Sequence, residues 1–162
     1  MSKIKKVIIV HPEKCLNCKL CEISCTLIKE NKAFPLHSRI EVVEYSWKIN
    51  FPIQCYHCDE PSCAAVCPMS AIFRDPKTGL VKIDYEKCIQ CRRCVDACPF
   101  GAMGVDVNGR IIKCNYCEEI MDGTPQCVMS CPHEALEYVE PQDSIREKRE
   151  RFAKKFIEEL VF

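Results

Sequence analysis

Apolar residues in this chain come in short runs. Val7–Val10 is the first. Residues 39–45 and 47–53 alternate apolar with polar positions, the period of half-buried strands, and read as a hairpin. Residues 71–83, AIFRDPKTGLVKI, read as strand, turn and strand, with Asp75-Pro76 and Thr78-Gly79 in the turn. Residues 102–113, AMGVDVNGRIIK, repeat the plan around Asn108-Gly109, a tight-hairpin signal. Residues 134–140, EALEYVE, form a strand with no returning neighbour, and Val7–Val10 is its natural partner. From Asp143 to Phe162 the period becomes helical. Ile145, Phe152, Phe156 and Leu160 make a stripe, with Ala153 and Ile157 beside it. Asp143 or Ser144 can cap this helix, with Glu147 available for a capping box. It either packs on its own core or docks a partner subunit or a second copy. The fold class expected is α+β: short hairpins, short helices and a C-terminal amphipathic helix.

Composition changes that picture. The chain has 162 residues, of which 16 are Cys. Without them the apolar fraction is roughly 38%, thin beside the ~45–50% of ordinary domains. Something other than a large oily core organises the fold. No apolar run reaches the ~18 residues of a membrane span. Aromatic and β-branched residues run throughout, which excludes low-complexity disorder. The N-terminus is basic and then only briefly apolar, too short for a secretory leader. The expectation is a cytoplasmic chain with reduced thiols, best explained as ligands rather than disulfides.

The cysteines fall into four groups of four. Group one is Cys15, Cys18, Cys21 and Cys25; group three is Cys88, Cys91, Cys94 and Cys98, followed by Pro99. Both have the spacing C-x2-C-x2-C-x3-C. Group two is Cys55, Cys58, Cys63 and Cys67, then Pro68; group four is Cys114, Cys117, Cys127 and Cys131, then Pro132. Three thiolates two residues apart can wrap three corners of a [4Fe–4S] cube, while the fourth reaches a different cube, as in the bacterial ferredoxin run. Structural zinc is the alternative; group four alone fits it, but three cysteines spaced two apart crowd one tetrahedral ion. Cross-ligation then assigns Cys15, Cys18, Cys21 and Cys131 to one cluster, and Cys114, Cys117, Cys127 and Cys25 to its neighbour. Cys55, Cys58, Cys63 and Cys98 hold a third, and Cys88, Cys91, Cys94 and Cys67 a fourth. The organisation expected is an outer ferredoxin-like module of residues 1–54 and 110–142, an inner one of 55–109, and the helix 143–162.

These groups resemble those of the four-cluster iron–sulfur electron-transfer subunits of bacterial and archaeal oxidoreductase complexes. The resemblance covers residues 7 to about 140. Such subunits serve formate dehydrogenases, dimethyl-sulfoxide-reductase-type enzymes, hydrogenases and carbon monoxide dehydrogenases. The opening VHPEKCLNCKLCEISCTLIKENKAFPLHSRIEVV resembles the small ferredoxin-like subunits that accompany tungsten-containing aldehyde oxidoreductases. It implies two interleaved dicluster modules, four [4Fe–4S] clusters and a non-catalytic relay. The implied partner is a tungsten- or molybdenum-pterin enzyme, and the implied acceptor a ferredoxin, a second enzyme or further copies of this chain. A free-standing polyferredoxin is the other reading. One departure is Thr26, where proline would follow group one; it lets a helix run on toward Lys29.

Charge follows from the cofactor. Basic and acidic residues balance at 23 each. Sixteen thiolates and four 2+ cores take the total to about −8. Lys19, Arg92, Arg93 and Lys113 lie in or beside ligand runs, as potential-tuning or docking groups or as ordinary solvated surface. His57 and His133 adjoin ligand positions, but no cysteine position is vacant for histidine to fill. His11 and His37 fall in connections. Tyr56 and Tyr116 pack on a cube or serve as core. The chain shows no nucleophile paired with a base, no P-loop and no basic tract for nucleic acid. Catalysis by this chain alone and membrane insertion are not expected.

Overall fold

The first and last of the described strands pair in one small sheet. In the computed structural model, which describes residues 6–46, 49–120, 123–142, 145–146, 149–150 and 153–154, β1 (Val7–Val10) pairs antiparallel with β8 (Leu136–Val139). Register runs from Val7 opposite Val139 to Val10 opposite Leu136. Ile8 and Leu136 bury their side chains on the inner face. Among the described residues three hairpins complete the strand inventory: β2 (Ile40–Ser46) with β3 (Ile49–Gln54), β4 (Ile72–Arg74) with β5 (Val81–Ile83), and β6 (Met103–Val105) with β7 (Ile111–Lys113). Each sheet has two strands. Isolated hairpins of this size are marginal in water, so each depends on what its buried face packs against.

The helices between them are short for a reason. α2 (Ser62–Ala65), α3 (Arg93–Asp96) and α4 (Gln126–Met129) are single turns, each ending just before the last cysteine of its group and the proline after it. The residue before proline is driven out of the helical region, so the turn stops there. α1 (Leu20–Glu30) is the exception, with 11 residues. Thr26 stands where the others have proline. It is fully buried, donates its hydroxyl to Ile23 O at 2.9 Å and receives the Phe34 amide at 3.3 Å. The helix runs through Cys25 to Glu30 and ends on Asn31, a left-handed cap at φ 52°. Ser24 of α1 meets Ser130 beside α4, hydroxyl to hydroxyl at 2.7 Å.

The hairpin turns differ from the sequence expectation in one detail. A two-residue Asn108-Gly109 turn requires positive φ at both residues. Only Gly109 has it, at 80°. Asp106 and Arg110 extend the ladder through a 2.9 Å backbone bond, and Gly109 N donates to Asp106 O at 2.9 Å. The loop therefore holds three residues, with Gly109 in the left-handed position of a bulge. The Asp106 carboxylate accepts the Asn108 and Arg110 amides at 2.9 and 2.8 Å. Its interactions, not the dipeptide, set the loop length.

Two apolar cores form. One joins Ile8, Ile40, Val42, Leu80, Tyr116 and Leu136 to Cys21, Cys25, Cys55, Cys114 and Cys127. The other joins Ile72, Val81, Met103 and Ile111 to Cys94, with Cys63, Cys67, Cys88 and Cys98 at its margin. Cysteine is part of both, as the thin apolar composition requires. Residues 141–142, 145–146, 149–150 and 153–154 are helical, with Ile145 and Ala153 exposed. Asp143, Ser144, Glu147, Phe152, Phe156, Ile157 and Leu160, on which the expected cap and stripe depend, lie outside the described residues, as does Trp47. Among the described residues no helix is long and apolar enough to cross a membrane.

Candidate metal centres

The cysteine loops share one backbone device. The second residue between the first two cysteines of every group is left-handed: Asn17 at φ 56°, His57 at 48°, Gln90 at 55° and Tyr116 at 55°. Groups one and three repeat it after the second cysteine, at Lys19 (60°) and Arg92 (65°). Left-handed residues among right-handed ones turn successive amides to one side, making a concavity that favours negative charge. Three residues after the last cysteine, Ser70, Gly101 and Glu134 turn the same way.

The amides find sulfur. His57 N and Tyr116 N donate to Cys55 and Cys114 Sγ, both at 3.4 Å. Ala71 N and Ala135 N donate to Cys67 and Cys131 Sγ at 3.2 and 3.3 Å. Arg39 N donates to Cys25 Sγ at 3.4 Å. The first two bonds occupy equivalent positions in groups two and four, and the next two likewise. Such bonds favour the thiolate over the thiol.

The sixteen cysteines are free and divide among four cavities. Cys15, Cys18, Cys21 and Cys131 line the first, and Cys25, Cys114, Cys117 and Cys127 the second. Cys55, Cys58, Cys63 and Cys98 line the third, and Cys67, Cys88, Cys91 and Cys94 the fourth. Empty space, open solvent included, comes to about 320, 280, 350 and 350 Å³ respectively. Near-equal sizes suit one kind of guest in all four. Among the described residues no set of three or more His, Cys, Asp or Glu converges tightly enough for a single metal ion. Cysteines spread around a cavity fit a polynuclear group better than one zinc.

The electrostatics ask for a cation. Burial pushes the Cys21 and Cys114 thiols up to about 12 and Cys63 to about 11. Cys127 goes well above its ordinary value, through burial and then the neighbouring Cys114 and Cys25. Such thiols ionise only against a positive guest, and a coordinated metal deprotonates them outright. Cys67 goes the other way. Burial opposes its ionisation, but amides of Ile72, Ala71, Met69 and Ser70 outweigh that and lower it. The donor set and its fields fit iron–sulfur clusters.

The remaining flagged residues separate clearly. Arg92 and Arg93 are exposed beside Cys91, itself one of two exposed cysteines; Cys18 is the other. Lys19 donates to Glu22 at 3.0 Å and to Val42 O, and Glu22 accepts the Val42 amide at 2.7 Å, tying loop to hairpin. His133 lines the cavity of Cys131. His11 bonds Glu137 at 3.2 Å where β1 meets β8. His37 lies against Phe34, ring centroids 5.2 Å apart. Tyr56 lines the Cys55 cavity and tilts against Phe100 at 4.8 Å. Tyr116 is buried, its ring edge-on to His57 at 4.4 Å. Solvated surface does not describe Lys113, which is 6% exposed. Its neighbour His57 is held neutral: burial, then the Lys113 charge, brings it down to about 2. This buried pair was not legible as such, because Lys113 and His57 are 56 residues apart and meet only when the hairpins stack.

Short antiparallel hairpins, single-turn helices and four cavities walled by cysteine define an iron–sulfur protein of the ferredoxin-like α+β class. The chain belongs to the 4Fe-4S dicluster domain family, whose pattern spans residues 45–141, and a 4Fe-4S binding domain pattern spans residues 12–28. It binds 4Fe–4S clusters. It is 39% identical over 136 residues to the polyferredoxin-like subunit of aliphatic sulfonate oxidoreductase from Pyrococcus furiosus, covering 82% of this chain and 76% of that one. A sulfite dehydrogenase subunit from Allochromatium vinosum is 40% identical over 96 residues, 54% of this chain and 40% of its own. Hydrogenase-2 operon protein HybA of Escherichia coli O157:H7 is 40% identical over 111 residues, 63% of this chain and 34% of its own. The chain thus spans well under half of those two relatives. Among solved structures, the active-site complex BamBC of benzoyl coenzyme A reductase with 1,5-dienoyl-CoA has a chain sharing the fold at TM-score 0.52. Identity there is 22%, with 86% of this chain and 78% of that one covered. The relatives are subunits and operon partners of oxidoreductases.

Proposed function

We propose that this chain is the electron-transfer subunit of an oxidoreductase complex and that each cavity holds one [4Fe–4S] cluster. The quartets are Cys15, Cys18, Cys21 and Cys131; Cys25, Cys114, Cys117 and Cys127; Cys55, Cys58, Cys63 and Cys98; and Cys67, Cys88, Cys91 and Cys94. The observation that carries this reading is the set of four near-equal cavities, each walled by four cysteines. Clusters so held supply outer-sphere, one-electron transfer. The chain's own part is to hold them, exclude water and set their potentials through amide–sulfur bonds and nearby charge. Residues 1–54 with 110–142 make the outer module and 55–109 the inner one, followed by residues 143–162, whose sequence carries helical periodicity.

The chain is non-catalytic and works in the cytoplasm beside a catalytic subunit. A tungsten- or molybdenum-pterin aldehyde oxidoreductase is the partner favoured by the texture of residues 10–43. The name of the Pyrococcus relative supports a second substrate class, aliphatic sulfonates. Isolating the native complex and identifying its large subunit tests both. The isolated holo-chain is expected to show reversible low-potential waves and no turnover of aldehydes or sulfonates. Its removal from the complex should block transfer to the physiological acceptor while leaving dye reduction by the partner. Turnover by the isolated chain, or purification always without a catalytic partner, overturns the proposal.

A further inference from the structure

Lys113 closes β7 and is almost wholly buried. Its Nζ donates to Val81 O at 2.5 Å and Cys114 O at 2.8 Å, and faces His57 Nδ1 at 3.3 Å. His57 Nδ1 already accepts the Val81 amide at 3.0 Å, so it presents a lone pair. Nζ thus faces two carbonyl oxygens and the Nδ1 lone pair that the Val81 amide already engages, an all-acceptor shell that suits an ammonium. Among the described residues Lys113 makes no ion pair. Glu118 and Glu119, which line the same groove, are taken by Lys82 and Lys29. Arg74, which donates to the His57 carbonyl, pairs with Asp59. A buried cation left without an anion is strongly destabilising.

Two quartets flank it. Cys114, its neighbour in sequence, belongs to one. Val81, whose carbonyl it holds, lines the cavity of the other. Four thiolates around a 2+ core carry a net charge of about −2.

The geometry points to Lys113 as the shared counter-ion of the Cys55 and Cys114 clusters, a positioning residue that raises both their potentials and lies at the junction between the modules. This rests on the quartets holding clusters. A cation common to both sites suits electron exchange between them. An electron leaving one quartet for the other oxidises the first and reduces the second, so the total charge around Lys113 is unchanged. No proton or compensating movement is needed.

The test is redox titration followed by EPR on the full chain, purified anaerobically with its iron and sulfide content measured first. Lys113→Gln keeps hydrogen-bond donors but removes the charge. It is expected to lower two of the four potentials by at least tenfold in the reduction constant, 59 mV for a one-electron couple. The other two should stay, and Lys113→Arg should stay near the wild type throughout. If Lys113→Gln loads incompletely, the loss should fall on the Cys55 and Cys114 quartets, with Arg restoring both. Unmoved potentials, an equal shift in all four, Arg and Gln behaving alike, or loss at the Cys15 or Cys88 quartet overturns the inference. A wild-type protein lacking four clusters overturns instead the reading on which it rests.

Discussion

A cysteine states its chemistry by its type but its partners only through the backbone between. Cys25 is four residues from Cys21 along α1, yet it lines a cavity with Cys114, Cys117 and Cys127, about 90 to 100 residues away. Positions i and i+4 share one helix face a turn apart, and that displacement of about 6 Å along the axis carries the fourth thiol to the neighbouring site. Cys25→Ser should therefore change the same EPR component as Cys117→Ser and leave the one changed by Cys18→Ser. Coincidence with Cys18→Ser would refute the cross-ligated quartets. At this scale the gathering of the cysteines in fours around the cavities was legible, because their spacing alone marks the groups. The left-handed residues were half legible: Asn17 and His57 are types enriched at positive φ, whereas Gln90 and Tyr116 are not marked by type. For Lys113 the sequence left two readings open, a potential-tuning or docking group and solvated surface, and its burial excludes the second. Lysine in IIKC reads as solvated, and its burial depends on Val81 and His57 arriving from another segment.

Elements here are as long as the residue after the fourth cysteine allows. Three groups stop at proline and have one-turn helices; the group with Thr26 has 11 helical residues. The departure from proline was visible in the sequence, and so was its consequence. Thr26→Pro should remove an interior helix bond and clash with the carbonyl four residues back, costing about 3 kcal/mol or more. Denaturant unfolding of the cluster-loaded protein checks it. Pro68→Ala and Pro99→Ala should cost less than about 1 kcal/mol, because those prolines only stiffen turns already made. A Thr26→Pro protein as stable as the wild type would mean that α1 contributes little beyond placing Cys25. The β1–β8 pairing was equally legible, since each strand lacked a local partner. Loop length between β6 and β7 was not, because Asp106 captures two amides and shifts the turn by one residue.

Among the described residues, two small apolar cores are stitched by cysteine, and hairpins with strands of three to seven residues have little else to pack on. The thin apolar composition and the four groups announced that arrangement. The meeting of His57, Val81 and Lys113 was not announced, because it is a property of stacked hairpins and no single segment carries it. The central claim is that four cubane clusters occupy four equivalent sites. Its most direct test is iron and acid-labile sulfide analysis of the anaerobically purified chain, with EPR of the reduced state. The account predicts about 16 iron and 16 sulfide per chain, with interacting S = 1/2 signals on reduction. A colourless protein holding a few zinc ions and no sulfide, or one with iron for only two clusters, would contradict it.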